Sequence, residues 1–205
     1  MADEPASSET SVPGYDIMEE VAVLSRAMNE GAAFLKPGLS DLAVVILASS
    51  FLERVLRMSL VAAFRKNVIS KKLIASVFEG KGPLATFASK IDVAVGLGHI
   101  ADLRHDLKII NSIRNKFAHS AAELRLKDYS ACLTLQAVAP IPTEEGECPE
   151  RQKFKQACAA IIAHICDATL LAVAKDRFIA ANVEGVRQEH EAMLRSIRSD
   201  EAPSE

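Results

Sequence analysis

Residues 157–174 constrain the fold most, because almost every side chain in this run, ACAAIIAHICDATLLAVA, is apolar. Such a run forms a helix that either spans a membrane or lies in a protein core. His164 and Asp167 lie in its middle, and an ionised Asp at the centre of a bilayer costs about 2.5–3.5 kcal/mol. We therefore expect a buried helix, no membrane span, and a hydrogen-bonded core histidine at His164 rather than half of a metal site with Asp167.

Helical spacing of apolar residues recurs along the rest of the chain, whereas the Gly and Pro residues that break helices occur in clusters. This pattern predicts helices over 17–34, 41–64, 70–78, 84–95, 102–118 and 149–183. We expect an all-α, single-domain, up-and-down helical bundle of about six or seven helices. The second, fifth and last of these helices carry the widest apolar faces and should pack centrally.

The predicted helix ends follow from local chemistry. Ser40 or Asp41 can cap the second helix by accepting backbone N–H groups of its first turn, and Asp102 can do the same for the fifth. The triplet Gly80–Gly82 is too short for a phosphate-binding loop and indicates helix punctuation. Pro83 can occupy the first turn of the helix that follows, where its missing N–H costs nothing.

The domain organisation is simple: one helical domain over 15–198, between disordered tails at 1–14 and 199–205 that are rich in Ser, Pro, Ala and acidic residues. The segment 137–147 contains two prolines and a glycine and is predicted to be an exposed loop. The first residues show no basic stretch followed by an apolar one, so we expect a cytoplasmic protein.

Charge and cysteine content narrow the classes of function. The net charge of the 205-residue chain is -3, so it lacks the basic balance typical of proteins that bind nucleic acid strongly. Four cysteines occur without a C-x-x-C pair, and we expect them to be reduced thiols, mostly buried. They are Cys132, Cys148, Cys158 and Cys166. No motif for a cofactor or a metal is present, and none is expected.

One short basic patch could contact nucleic acid weakly. Its residues, which lie within the stretch FRKNVISKK, are Arg65, Lys66, Lys71 and Lys72. These residues are consistent with a basic surface patch. They do not indicate a DNA-binding pair of short helices in which the second helix reads the bases. Two further histidines are most simply solvated surface residues: His105 beside Asp106, and His190 in a charged helix.

The segment 102–119, DLRHDLKIINSIRNKFAH, carries the most informative polar residues. Arg114 falls on the apolar stripe of the predicted helix, where a guanidinium must find a carboxylate, a partner chain or a ligand phosphate. Glu53 and Asp106 are the candidate partners in a buried ion pair. If the pair is buried, Arg114→Ala should destabilise the fold by about 3–5 kcal/mol.

Arg114, Asn115 and His119 also form an Arg-x4-His motif with Asn directly after the Arg. The motif resembles the signature of the HEPN superfamily of RNA-cleaving and nucleotide-binding helical domains, in which two chains commonly meet at the motif. The resemblance implies metal-independent RNA cleavage, with His119 as base and Arg114 holding charge on phosphorus. The structural alternative is that Arg114 fixes helix register and His119 ends the helix.

A wider resemblance covers about residues 40–120. The segments FLERVLR at 51–57, FEGKGPLATFASKIDVAVGLGHI at 78–100 and DLRHDLKIINSIRNKFAHS at 102–120 are similar to the mannitol operon repressor family. This resemblance implies an all-helical, cytoplasmic bacterial protein associated with repression of a sugar-alcohol operon, without a recognised DNA-binding motif.

Three functions follow as hypotheses. The first is a non-enzymatic repressor-like regulator of a carbohydrate operon that acts mainly through protein contacts, with a protein partner and a homo-oligomeric, dimeric state. The second is a metal-independent HEPN-type ribonuclease or RNA-binding domain that uses Arg114, Asn115 and His119. The third is a structural helical oligomerisation module.

Overall fold

The computed structural model describes residues 32–63, 71–98, 100–120, 123–171 and 188. Within these residues 73% are helical and no strand occurs, which confirms the all-α prediction. The described part contains five longer helices, slightly below the predicted six or seven. They are α1 (Asp41–Ala63), α2 (Lys71–Phe78), α3 (Phe87–Gly96), α4 (Arg104–His119) and α5 (Pro149–Leu171).

The core forms around α1, which is apolar on most of its circumference and buries twelve residues along its length. Helix α1 packs against α3 and α4, and α3 packs against α4. Helix α5 adds one face to the same core cluster through Phe154, Cys158, Ile161 and Ile165. The burial of large aliphatic and aromatic side chains from four helices supplies the main stabilising free energy.

The caps differ in part from the prediction. Ser40 Oγ accepts the Ala43 N–H at 3.2 Å and caps α1, whereas Asp41 turns to other elements. Pro83 lies before α3, not in its first turn, because Thr86 caps that helix by accepting the Ser89 N–H. Asp102 lies in the 3-10 turn Ala101–Leu103 and does not cap α4, so its predicted capping role was wrong.

A tight corner separates α2 from α3. Gly80 adopts φ +60°, a conformation that favours glycine. A Cβ atom at Gly82 would overlap the carbonyl oxygens of Ser76 and Val77, so the close return of the chain requires glycine there. The Leu84 N–H donates to the Val77 carbonyl at 2.9 Å and closes the corner. The predicted helix punctuation at this triplet therefore has a steric basis.

The chain between α4 and α5 contains two 3-10 turns, Leu126–Asp128 and Ser130–Thr134. The segment 137–147 is a loop, as predicted, but it is not exposed throughout. Glu144 is half-buried, and the Glu147 side chain is almost completely buried. Both acids bind cations of α5, which holds the loop against the helix.

Helix α5 is long and apolar enough to cross a membrane by length and composition alone, and it is the one such helix within the described residues. Its core-facing side is buried, as expected for a core helix. His164 and Asp167, however, are both exposed on the opposite side. The prediction of a core histidine was therefore wrong: the helix has one apolar face in the core and one outside it.

Several predicted features lie outside the described residues. These are the first amphipathic helix up to residue 31, the two tails, the continuation of α5 beyond residue 171 and His190. The described end of the first predicted helix, Ala32–Leu35, is a 3-10 turn that packs against α1.

Candidate functional site

One polar site that joins three of the described helices centres on Glu53 of α1. Lys90 of α3 is 3% exposed, and its Nζ lies 2.7 Å from Glu53 Oε1. The same ammonium donates a hydrogen bond to the carbonyl oxygen of Ala85 at 3.1 Å. A buried ammonium requires such partners, because desolvation without them would cost several kcal/mol. Glu53 and Lys90 thus join α1 to α3.

Arg114 reaches the same carboxylate from α4. Its Nη2 lies 3.6 Å from Glu53 Oε2, and its Nη1 donates to Asn115 Oδ1 at 3.3 Å. The structure therefore brings Arg114 and Glu53 together, but the Arg114 side chain is 34% exposed and its contact is long. The buried partner of Glu53 is Lys90, which sequence reasoning missed. A signal existed, because Lys90 shares the buried face of α3 with Phe87, Ile91 and Ala94.

Asp106 does not join this site, although it was a candidate partner for Arg114. It is 2% exposed and accepts the backbone N–H groups of Gln136, at 3.0 and 2.9 Å, and of Ala137, at 2.7 Å. A carboxylate with two backbone donors needs no guanidinium to satisfy it. Asp106 therefore anchors the chain after the second 3-10 turn onto α4, and its predicted pairing with Arg114 was wrong.

His119 is exposed and is the last residue of α4. At about 100° per residue, positions 114 and 119 lie about 140° apart around a helix. The two side chains of one chain therefore point to different sides of α4, while Asn115 and His119, four residues apart, share a side. A catalytic set made from Arg114 and His119 would have to combine residues from two chains.

A second cluster of charges, also missed from the sequence, lies where α1, α5 and the loop before α5 meet. Arg151 Nη1 lies 2.7 Å from Asp41 Oδ1, and Arg151 Nε lies 3.1 Å from Glu147 Oε1. Lys155 Nζ lies 2.6 Å from Glu144 Oε1 and 2.9 Å from Glu147 Oε1. Asp41 Oδ2 also accepts the Leu126 N–H at 2.7 Å. We refer to these five side chains as the Arg151 cluster.

Contacts within the Arg151 cluster shift the pKa values of Glu144 and Arg151. The hydrogen bond from Lys155 lowers the pKa of Glu144 against the opposing effect of burial, and the Gly38 N–H adds to the lowering. Burial disfavours the charged form of Arg151, but its hydrogen bonds and attraction to Asp41 outweigh that effect and raise its pKa. The cluster thus holds three separate parts of the chain together.

The predicted basic patch lies only partly within the described residues. Arg65 and Lys66 fall outside them, Lys71 begins α2, and Lys72 is exposed. A more extended basic surface occurs on the outer side of α4, which sequence reasoning did not single out. Its exposed residues are Arg104, His105, Lys108, Ser112, Asn115, Lys116 and His119. A shallow groove of about 550 Å³ runs along the first half of this surface.

No group of three or more His, Cys, Asp or Glu residues in the described ranges could hold a metal ion. Three of the four cysteines are buried, and Cys148 is half-buried. Burial raises the pKa of Cys132 to about 12 and that of Cys166 to about 11, and raises the pKa of Cys158 as well. Such thiols stay protonated, which does not suit nucleophilic or metal-binding roles.

Comparison of the chain with protein-family models, with curated proteins and with solved structures finds no match in any of the three.

Proposed function

We propose that this protein is a repressor-like regulator of a bacterial carbohydrate operon, most simply a sugar-alcohol operon, that acts mainly through protein contacts in the cytoplasm. The proposal takes its setting from the resemblance to the mannitol operon repressor family over residues 40–120. One observation supports the proposal: side chains from the three segments that resemble this family contact one another in the structure.

Glu53, from the segment 51–57, binds Lys90 in the second segment and Arg114 in the third. Arg57, also from the first segment, lies 3.2 Å from Glu79 and 5.5 Å from the ring of Phe78. The polar residues of the three segments therefore hold α1, α3, α4 and the corner before α3 in one arrangement. This supports a scaffold whose shape is recognised by a partner, rather than a set of side chains aimed at a substrate.

The same contacts weigh against the ribonuclease alternative. A guanidinium stabilises a phosphorane best when its full charge faces the reacting group, and Arg114 is already near a carboxylate and bonded to Asn115. One observation still favours the alternative, namely that a third of the Arg114 side chain is exposed. We therefore keep the HEPN-type ribonuclease as the second candidate, with a two-chain site as its requirement.

The basic outer side of α4 suits a weak accessory contact with nucleic acid. Lys108 lies 3.6 Å from Asp92, so part of this charge is already neutralised within the protein. Together with the net charge of -3, this predicts binding that is weak and lost at moderate salt. In this proposal the contact assists repression, and the protein partner supplies specificity for the operon.

Two measurements test the proposal. Deletion of the gene in the source bacterium should raise transcription of sugar-alcohol uptake genes, and a plasmid copy should restore repression. The Lys127→Ala variant should restore it equally, because Lys127 is exposed and lies outside both the Glu53 site and the basic side of α4. Unchanged transcription on deletion, with the protein verified as absent, would contradict the proposal.

In the second measurement, purified protein is incubated with single-stranded RNA in excess chelator. The regulator should leave the RNA intact. Cleavage that disappears in both Arg114→Ala and His119→Ala, but persists in the surface variant Lys127→Ala, would replace the proposal with the ribonuclease alternative.

A further inference from the structure

Helix α5 carries an outer face that is exposed except at the half-buried Ala160. Its members share one side of the helix and occur at intervals of three, four or one. They are Ala160, Ala163, His164, Asp167, Leu170 and Leu171, and we call them the outer face of α5. At 100° per residue these six positions fall within an arc of about 120°, opposite the buried side of the helix.

The outer face combines small, large apolar and charged side chains in a fixed order. Leu170 is 41% and Leu171 is 71% exposed, which is costly for large aliphatic side chains that stay in water. Ala160 and Ala163, two to three turns earlier, leave shallow space on the same side. His164 and Asp167 lie between these two groups, and neither side chain has a hydrogen bond or an ion pair within the described residues.

We propose that the outer face of α5 binds the same face of a second copy of this chain, with the two helices antiparallel about a two-fold axis. In a two-fold interface each contact occurs twice with the roles exchanged. An axis that passes between positions 165 and 166 places His164 opposite the partner's Asp167. The same axis places Ala160 opposite the partner's Leu171, so that a large side chain fills the space beside a small one.

This order of residues distinguishes an antiparallel pair from other arrangements. A parallel pair would place His164 against the partner's His164 and Asp167 against the partner's Asp167, so that equal charges face each other. Insertion into a bilayer would take the Asp167 carboxylate and the His164 ring into hydrocarbon together with the leucines. Only the antiparallel pair places His164 opposite the partner's Asp167 and places Leu171 opposite an alanine.

The size of the face predicts a reversible dimer. From Ala160 to Leu171 the face is about 17 Å long at 1.5 Å per residue. Stable interfaces bury about 800 Å² on each partner, and one helical face of this length reaches only part of that area. We therefore expect monomer and dimer to exchange within an accessible range of protein concentration. The inference goes beyond the proposed function, which does not depend on it.

Sedimentation of the full chain over a range of concentrations tests the inference. The wild-type protein should form a reversible dimer. Leu171→Lys should weaken association at least tenfold, because it places an ammonium beside the partner's Ala160. His164→Asp should weaken it similarly, since it places two carboxylates opposite each other. The double variant His164→Asp/Asp167→His should restore association, because each acid again faces a histidine.

A matched control variant tests whether the loss of association is specific to the outer face of α5. Leu133 is 51% exposed in a 3-10 turn, and Leu133→Lys introduces the same charge away from α5 and should not affect association. Circular dichroism checks that every variant keeps its helical content. A protein that stays monomeric at every concentration would overturn the inference, as would a dimer that Leu171→Lys and His164→Asp leave unchanged.

Vesicle binding tests whether a membrane surface, instead of a second copy of the chain, occupies the outer face of α5. Wild-type protein is mixed with vesicles of a zwitterionic and of an anionic phospholipid and is then sedimented with them. We expect the protein to stay in solution. Binding to vesicles that Leu171→Lys abolishes and Leu133→Lys preserves would show that a membrane surface occupies the face, and would overturn the dimer.

Discussion

Lys90 of α3 and Glu53 of α1 form an ion pair, 2.7 Å between Nζ and Oε1, in which the ammonium is almost completely buried. Glu53 also faces Arg114 at 3.6 Å, but that guanidinium is partly in water. Removal of the Glu53 carboxylate therefore leaves Lys90 as a buried, unpaired charge, whereas water can still solvate Arg114.

This difference in burial predicts that Glu53→Ala destabilises the protein more than Arg114→Ala does. Glu53→Ala should lower the free energy of unfolding by about 3–5 kcal/mol, because it leaves the Lys90 charge buried without its partner. Arg114→Ala should cost about 1 kcal/mol or less, the range for a partly exposed pair. This is smaller than the value expected when Arg114 is taken as buried. Lys108→Ala, at the exposed pair with Asp92, serves as control in urea unfolding.

Asp106 should show a local effect on the backbone that it binds. Asp106→Ala leaves the partly buried Gln136 and Ala137 N–H groups without their acceptor, at a total cost of about 1–3 kcal/mol. The exchange rates of these two amide hydrogens should rise more than those of α3. Asp106→Asn retains one acceptor oxygen and should have a smaller effect. Equal exchange in wild type and Asp106→Ala would contradict the assigned contacts.

The Arg151 cluster predicts loss of stability in acid. The folded-state pKa of Glu144 lies below its ordinary value of 4.5, so the unfolded chain binds this proton more readily. The contribution of Glu144 is therefore complete above pH 4.5 and is lost as pH falls through the folded-state pKa. Glu144→Gln should flatten the decline of unfolding free energy as pH falls below 4.5, and Glu145→Gln, at an exposed neighbour, serves as the control variant.

Thiol reactivity should separate Cys148 from the other three cysteines. Cys132, Cys158 and Cys166 are buried and stay protonated because burial raises their pKa, whereas Cys148 is half-buried. A thiol reagent at pH 8 should therefore modify one thiol rapidly in the native protein and all four after denaturation. Cys148→Ser should remove the rapid phase. Two or more rapid thiols in the folded wild-type protein would show that the core opens easily.

Alanine substitution at Gly80 and at Gly82, in the corner before α3, should lower the stability of the protein by different amounts. Gly80→Ala introduces strain from a positive φ, about 1 kcal/mol, but its new Cβ meets no atom. Gly82→Ala forces a Cβ against two backbone carbonyl groups, which cannot move without disturbing α2. The fall in melting temperature should therefore be larger for Gly82→Ala. A larger fall for Gly80→Ala would show that backbone strain, rather than close approach, decides this corner.

The sequence by itself determined the helices and most of their ends, because helix formation depends on local spacing of apolar residues and on the chemistry of the adjoining turns. The prediction 41–64 and the observed α1 differ by one residue, and the break at Gly80–Gly82 is where it was expected. Both features need information only from residues close in the chain.

The tertiary structure alone decided which partners the charged residues take. Asp41 could equally have capped its own helix, but it binds Arg151, which is 110 positions away, and the Leu126 N–H. Asp106, expected beside Arg114, binds backbone groups about thirty positions away, and Lys90 takes the carboxylate expected for Arg114 alone. Ion pairing decays over a few ångströms, so it depends on how distant elements pack, which local periodicity does not encode.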